Sequence, residues 1–419
     1  MAYLPIILSS IFFNYKVGKT LGDTKKHNKI SKKTLLIFGI IANIALLGYF
    51  KYTDFLIDNL NYWVFVDELP SINLVLPLAI SFFTFQQISY LVDSYKHETM
   101  DTDLLGYTLF VSFFPQLIAG PIVHHKEMLS QFANTQNQKW QSNNITKGLF
   151  IFTIGLAKKV LIADTFAVWA TAGFDEMTTL SLWEAWVTSL SYTFQLYFDF
   201  SGYTDMAIGL ALLFNIKLPI NFNSPYQATT IQDFWRRWHI TLSRFLRNYI
   251  YIPLGGSRRG EYKIYNNLML TFLIGGIWHG AGWTFVFWGF LHGVALVLQR
   301  VWNRLGFKLY AWLAWFVTFN FVNIAWVFFR AKEWEDAVKV LSAMFNWQSL
   351  GLIDVTQLTY IVVFLAVIFL KNSNEIIQLT LNKYVVLFGV IFLFVLSTLQ
   401  MINITIQAEK VSEFLYFNF

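Results

Sequence analysis

The sequence predicts an all-α integral membrane protein that crosses the bilayer many times. Of its 419 residues, 56% are hydrophobic and only 13% are charged, and the mean hydropathy is +0.47. A soluble domain carries about 25% charged residues, and a chain with half that share cannot cover a water-exposed surface. The apolar residues also form runs close to the ~20 residues that cross a bilayer as a helix. These totals exclude an ordinary soluble enzyme, and they exclude a disordered chain because disorder requires low hydrophobicity.

About eleven apolar runs qualify as membrane-spanning or re-entrant helices under the ~20-residue criterion. They are 1–15, 34–50, 72–92, 104–121, 147–170, 185–215, 265–279, 282–300, 309–329, 352–370 and 384–405. Several are short or interrupted, so we expect some of them to be re-entrant. The first run lacks the basic start and the small-residue cleavage site of a signal peptide, which favours a membrane span. No internal repeat or low-complexity linker divides the chain, which predicts one membrane domain over residues 1–419.

The basic residues predict how the chain is oriented in the membrane. The net charge is +6 and the isoelectric point is about 9.1, with most lysines and arginines in a few loops. By the positive-inside rule, loops 14–34 and 217–263 are cytoplasmic, and the acidic loops 51–71 and 175–184 lie outside. Anionic membrane lipids or an anionic cytosolic substrate explain this charge, and we do not expect nucleic acid as a partner.

The residues that are absent narrow the chemistry. The chain contains no cysteine, which excludes disulfides, thiolate metal sites and a thioester intermediate on the protein. It has neither a G-x-S-x-G elbow nor an H-E-x-x-H motif. Its few histidines lack metal-ligand spacing, so we expect no metal site. Direct base-assisted transfer of a group to a hydroxyl is the simplest chemistry that remains.

Residues 231–252 have the pattern of a basic amphipathic helix. At about 100° per residue, aromatic and aliphatic side chains share one face. The opposite face carries four arginines, Arg236, Arg237, Arg244 and Arg247. Such a helix lies in the membrane interface, where its arginines suit lipid phosphates or the phosphates of a nucleotide-like donor; the pattern alone favours lipid headgroups. His239 lies between the faces, where a lone histidine is more often a structural hydrogen-bonding residue than a catalyst.

The stretch 264–299 contains no Asp, Glu, Lys or Arg, so His279 and His292 are its ionisable groups near neutral pH. If a helix begins near Tyr265, His279 lies about 21 Å along it, deep within an apolar core about 30 Å thick. Nearby glycines permit close approach and a helix break. An ionisable group at this depth indicates a functional site, and a neutral imidazole there suits a general base. The alternative is a histidine that packs helices through a hydrogen bond, which is our interpretation of His292.

Five segments carry a resemblance to a known family. The most specific are YFDFSGYTDMAIGLALLFNIKLPINFNSPYQATTIQDFWRRWHITLSRFLRNYIYIPLGGSRRG at 197–260 and GGIWHGAGWTFVFWGFLHG at 275–293. The others are SFFTFQQISYLVDSY, FFPQLIAGPIV and WVFFRAKEWEDAVKVLSAMF. Together they closely resemble the membrane-bound O-acyltransferase (MBOAT) family, and more narrowly its bacterial branch with the membrane subunits of alginate and peptidoglycan O-acetylation. The resemblance covers most of the chain.

This resemblance implies a fold and a reaction. The fold is a ring of tilted helices around a thin central region, with a channel from each face meeting at a catalytic histidine. That histidine maps to His279 in WHGAGW, and the second polar residue of the family maps to His239 in WRRWHITLS. The implied enzyme is an acyltransferase for groups other than aminoacyl groups. It moves an acetyl group from cytosolic acetyl-CoA across the membrane to hydroxyls of an envelope or exported polysaccharide.

The resemblance also implies ligands, a partner and a location. Acetyl-CoA is expected as donor substrate, with no tightly bound cofactor. The expected donor contacts are Trp235, Arg236, Arg237 and Trp278. A periplasmic acetyltransferase-like protein is expected to receive the acetyl group, and the location is the bacterial inner membrane. One departure is His124, which follows AGPIV where the family often has arginine, so the resemblance implies no fixed positive charge there.

Three other functions remain open from the sequence. D-alanyl transfer to teichoic acid from a carrier protein uses the same fold and a similar WHxTLS stretch, although the GIWHGAGW context resembles the acetyl branch more. A glycan or lipid transporter usually has internal repeats and intramembrane acid–base pairs. We predict neither, and we expect Asp199 and Asp205 to form structural hydrogen bonds. A non-catalytic scaffold is disfavoured by the histidine in its glycine-rich break.

Overall fold

The computed structural model describes residues 3–23, 30–64, 69–99, 103–118, 120–258, 260–378 and 383–406, together with Leu415. All regular elements within these residues are helical, and the predicted all-α fold class is confirmed. The α-helices are α1 (Leu4–Gly22), α2 (Lys32–Val64), α3 (Ile80–Tyr95), α4 (Leu104–Ser112), α5 (Phe114–Leu117), α6 (His125–Phe132), α7 (Ser142–Ala157), α8 (Asp164–Thr171), α9 (Leu182–Leu213), α10 (Ile231–Arg237), α11 (Ile240–Leu246), α12 (Glu261–His279), α13 (Trp283–Arg304), α14 (Ala311–Arg330), α15 (Trp334–Met344), α16 (Val355–Val367), α17 (Ser373–Ile376) and α18 (Lys383–Ile406). Short 3₁₀ or π segments cover Thr135–Gln138, Lys158–Ala163, Ala172–Glu176, Pro225–Gln227 and Arg247–Tyr251.

Every apolar run that the sequence indicated contains helix. Four stretches within the described ranges are long and apolar enough to cross a membrane by length and composition. They are Lys32–Val64, Trp283–Arg304, Ala311–Arg330 and Val386–Asn403. The total of about eleven spanning or re-entrant helices stays a prediction.

Helix α2 continues well beyond the predicted span 34–50. Its 33 residues make it about 50 Å long, which exceeds the apolar core of a bilayer, about 30 Å thick. Lys51, Asp54 and Asp58 therefore lie on the helix and not in an outside loop. Their spacing of three and four residues places them on one helical face, so these charges do not mark the end of the helix. In the predicted loop 14–34, Lys16 and Lys19 likewise lie on α1, and Lys32 and Lys33 lie on α2. The loop charges at 25, 26, 29, 67 and 68 lie outside the described residues.

Two of the predicted runs differ most from a single continuous helix. The run 72–92 is helical from Ile80 onward. The run 104–121 contains α4 and α5, which are separated at Phe113 and have nine and four residues. Pro115 near the start of α5 has no N–H with which to continue the preceding helix. Because α4 is only about 14 Å long, this run is too short to cross the bilayer as one helix.

Helix α9 forms the centre of the described structure. Most of its residues are buried, and it packs against α5, α7, α8, α14, α15 and α16. It begins with a capping box in which Ser181 and Glu184 exchange hydrogen bonds, an arrangement that satisfies free N–H groups. Its contact with α7 is close, because a Cβ on Gly155 would lie 2.5 Å from the carbonyl oxygen of Gly202. Small residues of this kind let membrane helices approach each other.

Two partly buried lysines pair with aspartates where α7, α8 and α9 meet. Nζ of Lys158 lies 2.7 Å from Oδ2 of Asp205. Nζ of Lys159 lies 2.9 Å from Oδ1 of Asp199 and 2.7 Å from Oδ1 of Asp164. The prediction that no acid–base pairs lie within the membrane domain is therefore wrong. Asp199 and Asp205 come from α9, so the spacing of charges along the sequence does not reveal their pairs, whereas Asp164 lies only five residues from Lys159.

Asp175, in the short helical segment that follows α8, pairs with two basic residues at the end of α14 and just after it. Asp175 accepts from Arg330, with Nη2 and Oδ2 2.5 Å apart, and Nζ of Lys332 lies 3.2 Å from its Oδ1. Burial raises the pKa of Asp175, but these two cations and their hydrogen bonds lower it by more, and the net pKa lies below its usual value. The predicted outside loop 175–184 thus obtains its basic partners from a distant helix.

Candidate active site

The candidate site lies at the hairpin formed by α12 and α13. An extended connection, 280–282, joins the two helices. They cross where Gly276 meets Gly289, and a Cβ on Gly276 would lie 2.4 Å from the carbonyl oxygen of Phe285. Only glycine permits so close an approach of two backbones. The hairpin presents His279, the last residue of α12.

Replacing Gly276 with alanine is expected to force α12 and α13 apart, because the new methyl group would overlap backbone atoms of α13. Overpacking of this kind costs about 1–3 kcal/mol, so thermal unfolding in detergent should move to lower temperature. Gly48→Ala in α2 is the matched control, since no atom lies within 4 Å of the position of its new Cβ. Equal unfolding temperatures for the two variants would contradict the close crossing.

His279 is 2% exposed and is surrounded by aromatic rings. Its imidazole makes edge-to-face contacts with Trp278, Trp288 and Phe329, with ring centroids 4.9, 5.0 and 5.1 Å away. Because α12 begins at Glu261, four residues earlier than predicted, His279 lies about 27 Å along the helix. These rings exclude water from the imidazole. Its depth in a bilayer stays a prediction.

His239 lies at a break in the basic segment, and the predicted continuous helix is wrong. The residue sits between α10 and α11 with left-handed backbone, at φ +43°. The preceding segment takes the backbone hydrogen bonds at this break. The N–H of Ile240 donates to the carbonyl of Asn221 (2.9 Å), and the N–H of Asn223 donates to the carbonyl of Arg237 (2.9 Å). The break therefore depends on a tertiary contact.

The fully buried imidazole of His239 is oriented by Asn221. Its Nδ1 lies 3.1 Å from Oδ1 of Asn221. The same oxygen accepts from the backbone N–H (3.2 Å) and the hydroxyl (2.9 Å) of Thr241. Because a backbone N–H only donates, Thr241 identifies this atom of the Asn221 amide as the oxygen. Nδ1 of His239 then carries the ring proton, and Nε2 is the basic nitrogen of the neutral imidazole.

Trp278 contacts both of the predicted catalytic histidines. Its ring centroid is 4.9 Å from that of His279 and 6.4 Å from that of His239. Trp278 also stacks on Phe85, with centroids 4.7 Å apart, and this stack fixes its position. The structure thus brings two histidines that are distant in the sequence to the same indole ring.

A basic cavity of about 1050 Å³ opens near His279 and the aromatic rings around it. The arginines in its wall are Arg236, Arg244, Arg247, Arg300 and Arg304. Glu261 neutralises Arg300 (Nε–Oε2, 3.0 Å), and Glu127 neutralises Arg244 (Nη1–Oε1, 2.8 Å). The remaining three have no carboxylate within 4 Å in the described part of the chain. This charge suits a ligand that carries phosphates. Among all the residues that the structure describes, no group of three His, Asp or Glu is placed to hold a metal ion.

Two of the four predicted donor contacts line the cavity. Trp235 and Arg236 lie in its wall. Arg237 forms an ion pair with Asp233 of the same helix, with Nε and Oδ2 2.9 Å apart, and it is not part of the wall. Adjacent helical residues point about 100° apart, which separates the two arginines. Trp278 contacts His279 and His239 and does not line the cavity. Donor contacts at Arg237 and Trp278 therefore stay predictions, which the geometry does not favour.

Aromatic rings separate the cavity from His279. Trp235 and Phe272 form part of the cavity wall, with centroids 4.9 Å apart. Trp288 lies next, 5.8 Å from Trp235 and 5.0 Å from His279. Only the indole of Trp288 therefore lies between Trp235 in the cavity wall and the imidazole of His279 along these contacts. His292, whose predicted role is structural, accepts a hydrogen bond at Nδ1 from Nε1 of Trp235 (3.1 Å) and supports the wall.

Sequence reasoning missed three residues of this site. Asn221 orients His239, Trp288 lies between the cavity and His279, and Lys51 contacts the end of α12. Asn221 and Trp288 lie in the distinctive segments, but their local pattern does not distinguish them from their neighbours. The contact of Lys51 with α12 joins distant parts of the chain and has no signature in spacing.

Comparison with known proteins identifies the family. Residues 94–332 match the model of MBOAT, the membrane-bound O-acyltransferase family. The match covers more than half of the chain and includes His239, His279 and the lining of the cavity. The chain belongs to the membrane-bound O-acyltransferase family. It is therefore a multi-pass membrane acyltransferase, as the resemblance implied.

Individual relatives of this MBOAT chain are also informative. A peptidoglycan O-acetyltransferase of Helicobacter pylori is 54% identical over 84% of this chain and 71% of its own length. A probable alginate O-acetylase, AlgI, of Pseudomonas putida is 36% identical over 100% of this chain and 90% of its own length. A teichoic acid D-alanyltransferase of Bacillus subtilis is 27% identical over 63% of this chain and 71% of its own length. The chain is thus more similar to the two O-acetylating relatives than to the D-alanyl relative.

Proposed function

We propose that this MBOAT protein moves an acetyl group from cytosolic acetyl-CoA to hydroxyls of a cell-envelope or exported polysaccharide of the peptidoglycan or alginate type. Its similarity to two O-acetylating relatives supports the acetyl group and the class of acceptor. The protein acts as one membrane domain, residues 1–419, in the bacterial inner membrane. The positive-inside rule supports an orientation in which the basic cavity faces the cytoplasm.

The observation that carries this proposal is a basic cavity whose wall is one indole away from a buried histidine. CoA carries several phosphate groups, and arginine binds phosphate through paired, charge-assisted hydrogen bonds. Arg236, Arg247 and Arg304 have no carboxylate within 4 Å in the described ranges, so they are available for such a ligand. With the phosphates held there, the acetyl end of the donor extends toward Trp288 and His279. Acetyl-CoA acts as a substrate that leaves, and we propose no tightly bound cofactor.

His279 acts as the general base in this proposal. The acceptor hydroxyl gives its proton to His279 as its oxygen bonds to the carbonyl carbon of the acetyl thioester. The carbon–sulfur bond then breaks, and the proton passes from His279 to the departing sulfur, which leaves as the thiol of CoA. General-base catalysis of this kind contributes about 10²–10⁴-fold. His239, oriented by Asn221 beside the same indole, holds the acceptor hydroxyl.

The acetyl group crosses the membrane while the nucleotide of the donor stays in the cytoplasm. This crossing requires that His279 be reached from both faces and that only the small acyl group pass the aromatic rings around it. A periplasmic acetyltransferase-like partner supplies the acceptor hydroxyl at His279, is acetylated there as the thiol of CoA leaves, and then passes the acetyl group to a hydroxyl of the polysaccharide. Membrane lipids surround the remaining apolar surface.

D-alanyl transfer to teichoic acid is the second candidate, because the chain is also similar to a teichoic acid D-alanyltransferase. Its donor would be a carrier protein, which docks on a surface, whereas an open cavity of about 1050 Å³ has room for a ligand of nucleotide size. The higher identity to the O-acetylating relatives also favours acetyl transfer.

Proteoliposomes with the acceptor partner enclosed test the proposed function. Radiolabelled acetyl-CoA or a radiolabelled D-alanyl carrier protein is added outside vesicles whose cytoplasmic face is outward, and label on the partner is measured. We expect transfer from acetyl-CoA and none from the carrier protein. Transfer from the carrier protein alone would replace the proposed donor, and the absence of transfer from both would contradict O-acyl transfer to that partner.

Arg236→Gln is expected to raise the apparent KM for acetyl-CoA about tenfold, the effect of losing one charge-assisted hydrogen bond, with kcat little changed. We assign donor binding to Arg236 because it lines the cavity, and not to Arg237, which pairs with Asp233. Arg237→Gln is therefore the matched control and should keep the wild-type KM. Equal KM values for the two variants would contradict donor binding in the cavity.

A further inference from the structure

The C-terminus of α12, which presents His279, is held mainly by α2. The last four carbonyl groups of an α-helix have no partner within the helix, and unpaired carbonyls are costly in an apolar environment. In α12 they belong to Gly276, Ile277, Trp278 and His279. The carbonyl of Gly276 accepts from the N–H of Gly280 (3.4 Å). The other three accept from two adjacent side chains of α2.

Lys51 and Tyr52 are these two side chains. The hydroxyl of Tyr52 donates to the carbonyl of Ile277 (2.5 Å). The ammonium of Lys51 donates to the carbonyls of Trp278 (2.5 Å) and His279 (3.1 Å). Every one of the four terminal carbonyls of α12 thus has a partner, and α2 supplies three of the four bonds.

The ammonium group of Lys51 is committed to this position. Its third hydrogen bond goes to the hydroxyl of Ser81 (3.4 Å), and Nζ lies 5.8 Å from the centroid of the Trp278 ring. Within the ranges that the structure describes, no carboxylate lies within 4 Å of this ammonium. Its hydrogen-bond donors therefore face the C-terminus of α12.

From this geometry we infer that Lys51, assisted by Tyr52, is a positioning residue that fixes His279 for acyl transfer. The inference rests on the proposed role of His279. Without the ammonium, the last turn of α12 loses two of its four carbonyl partners, and the imidazole is free to shift against Trp288 and the cavity. A displacement of about 1 Å at a catalytic group costs up to about 10²-fold in rate. Lys51 lies outside residues 94–332, so the family match does not include it.

Lys32 provides a matched control on the same helix. Its ammonium donates to the carbonyls of Leu21 (3.0 Å) and Asp23 (2.7 Å) at the C-terminus of α1. Residue type, helix and kind of cap are therefore the same as for Lys51. The capped helix is α1 and not α12, so a purely structural effect of losing a lysine cap appears in both variants, and an effect on His279 appears in one.

Kinetics in the proteoliposome assay test the inference. Lys51→Met removes the donors and keeps an unbranched side chain, and we expect kcat to fall by about tenfold to 100-fold with an unchanged KM for acetyl-CoA. Lys51→Arg keeps a cationic donor and should recover most of the turnover, and Lys32→Met should keep the wild-type kcat. An unchanged kcat in Lys51→Met, or the same decrease in both Met variants, would overturn the assignment.

Amide hydrogen exchange in detergent distinguishes this inference from the proposed function. Exchange over residues 276–283 is expected to be faster in Lys51→Met than in the wild type, and unchanged in Lys32→Met, whatever reaction the protein catalyses. Faster exchange together with a wild type that transfers no acetyl group would contradict the proposed function and still support the hold of Lys51 on α12. Unchanged exchange in an active protein would overturn that hold.

Discussion

Replacing His279 with alanine is expected to lower the rate of acetyl transfer by about 10²–10⁴-fold, the contribution of a general base. The apparent KM for acetyl-CoA should change little, because the residues that line the cavity are not altered. Initial rates in proteoliposomes, measured over a range of labelled acetyl-CoA concentrations, separate these two constants. His279→Gln is a second variant that fills more of the aromatic cage, and it should be equally inactive while unfolding closer to the wild-type temperature.

His292→Gln is the control within the same aromatic cluster. His292 is also fully buried, and it accepts a hydrogen bond from Trp235. Glutamine keeps a hydrogen-bond acceptor at this position, so the cavity wall should survive and the turnover should stay of the same order as in the wild type. Similar losses in the His279 and His292 variants would mean that both imidazoles are structural, and would remove the general base from the proposed reaction.

The sequence indicated His279 as a candidate because this residue differs so strongly from its surroundings, and its catalytic role stays a prediction. It lies in a stretch without Asp, Glu, Lys or Arg, beside glycines that end a helix. An ionisable group in such a stretch is expensive to bury, and composition alone therefore indicates a function. The basic and aromatic pattern of residues 231–252 likewise drew attention to Trp235 and Arg236, which line the cavity; donor binding at both stays a prediction.

The break at His239 could not be predicted in the same way. Apolar and basic residues keep a helical period through residues 231–252. The sequence pattern therefore continues across His239, although the helical backbone is interrupted there. What ends α10 is the segment around Asn221, which bonds the backbone on both sides of His239. A contact between two separate parts of the chain decides the local structure here. Periodicity considers only neighbouring residues, so it cannot predict this contact.

The same limit explains why Lys51 was assigned to a loop. Charged residues end an apolar run, but they do not end a helix when helical spacing places them on one face, as in α2. The partners that make these charges tolerable are carbonyls of α12 for Lys51 and aspartates of neighbouring helices for Lys158 and Lys159. Such partners are known only once the helices are packed.

Removing one member of the Lys158–Asp205 pair is expected to destabilise the protein by about 3–5 kcal/mol, because it leaves the other charge buried and unpaired. The side chains are 13% and 5% exposed, and the two charged atoms lie 2.7 Å apart. Lys158→Met and Asp205→Leu should therefore each lower the temperature of thermal unfolding in detergent by a similar amount. Single variants that unfold like the wild type would contradict a buried ion pair.

The double variant Lys158→Met/Asp205→Leu separates a structural pair from an ion path. Replacing both charges with apolar side chains of similar size is often neutral, or stabilising by about 1–4 kcal/mol, so the double variant should unfold near the wild-type temperature and keep acetyl transfer. The coupling energy from the double-mutant cycle isolates the contribution of the pair. A transporter that moves ions through this pair would lose its activity in the double variant as well as in both single variants. A stable double variant without acetyl transfer would therefore show that the pair takes part in the reaction, and that its role is not structural alone.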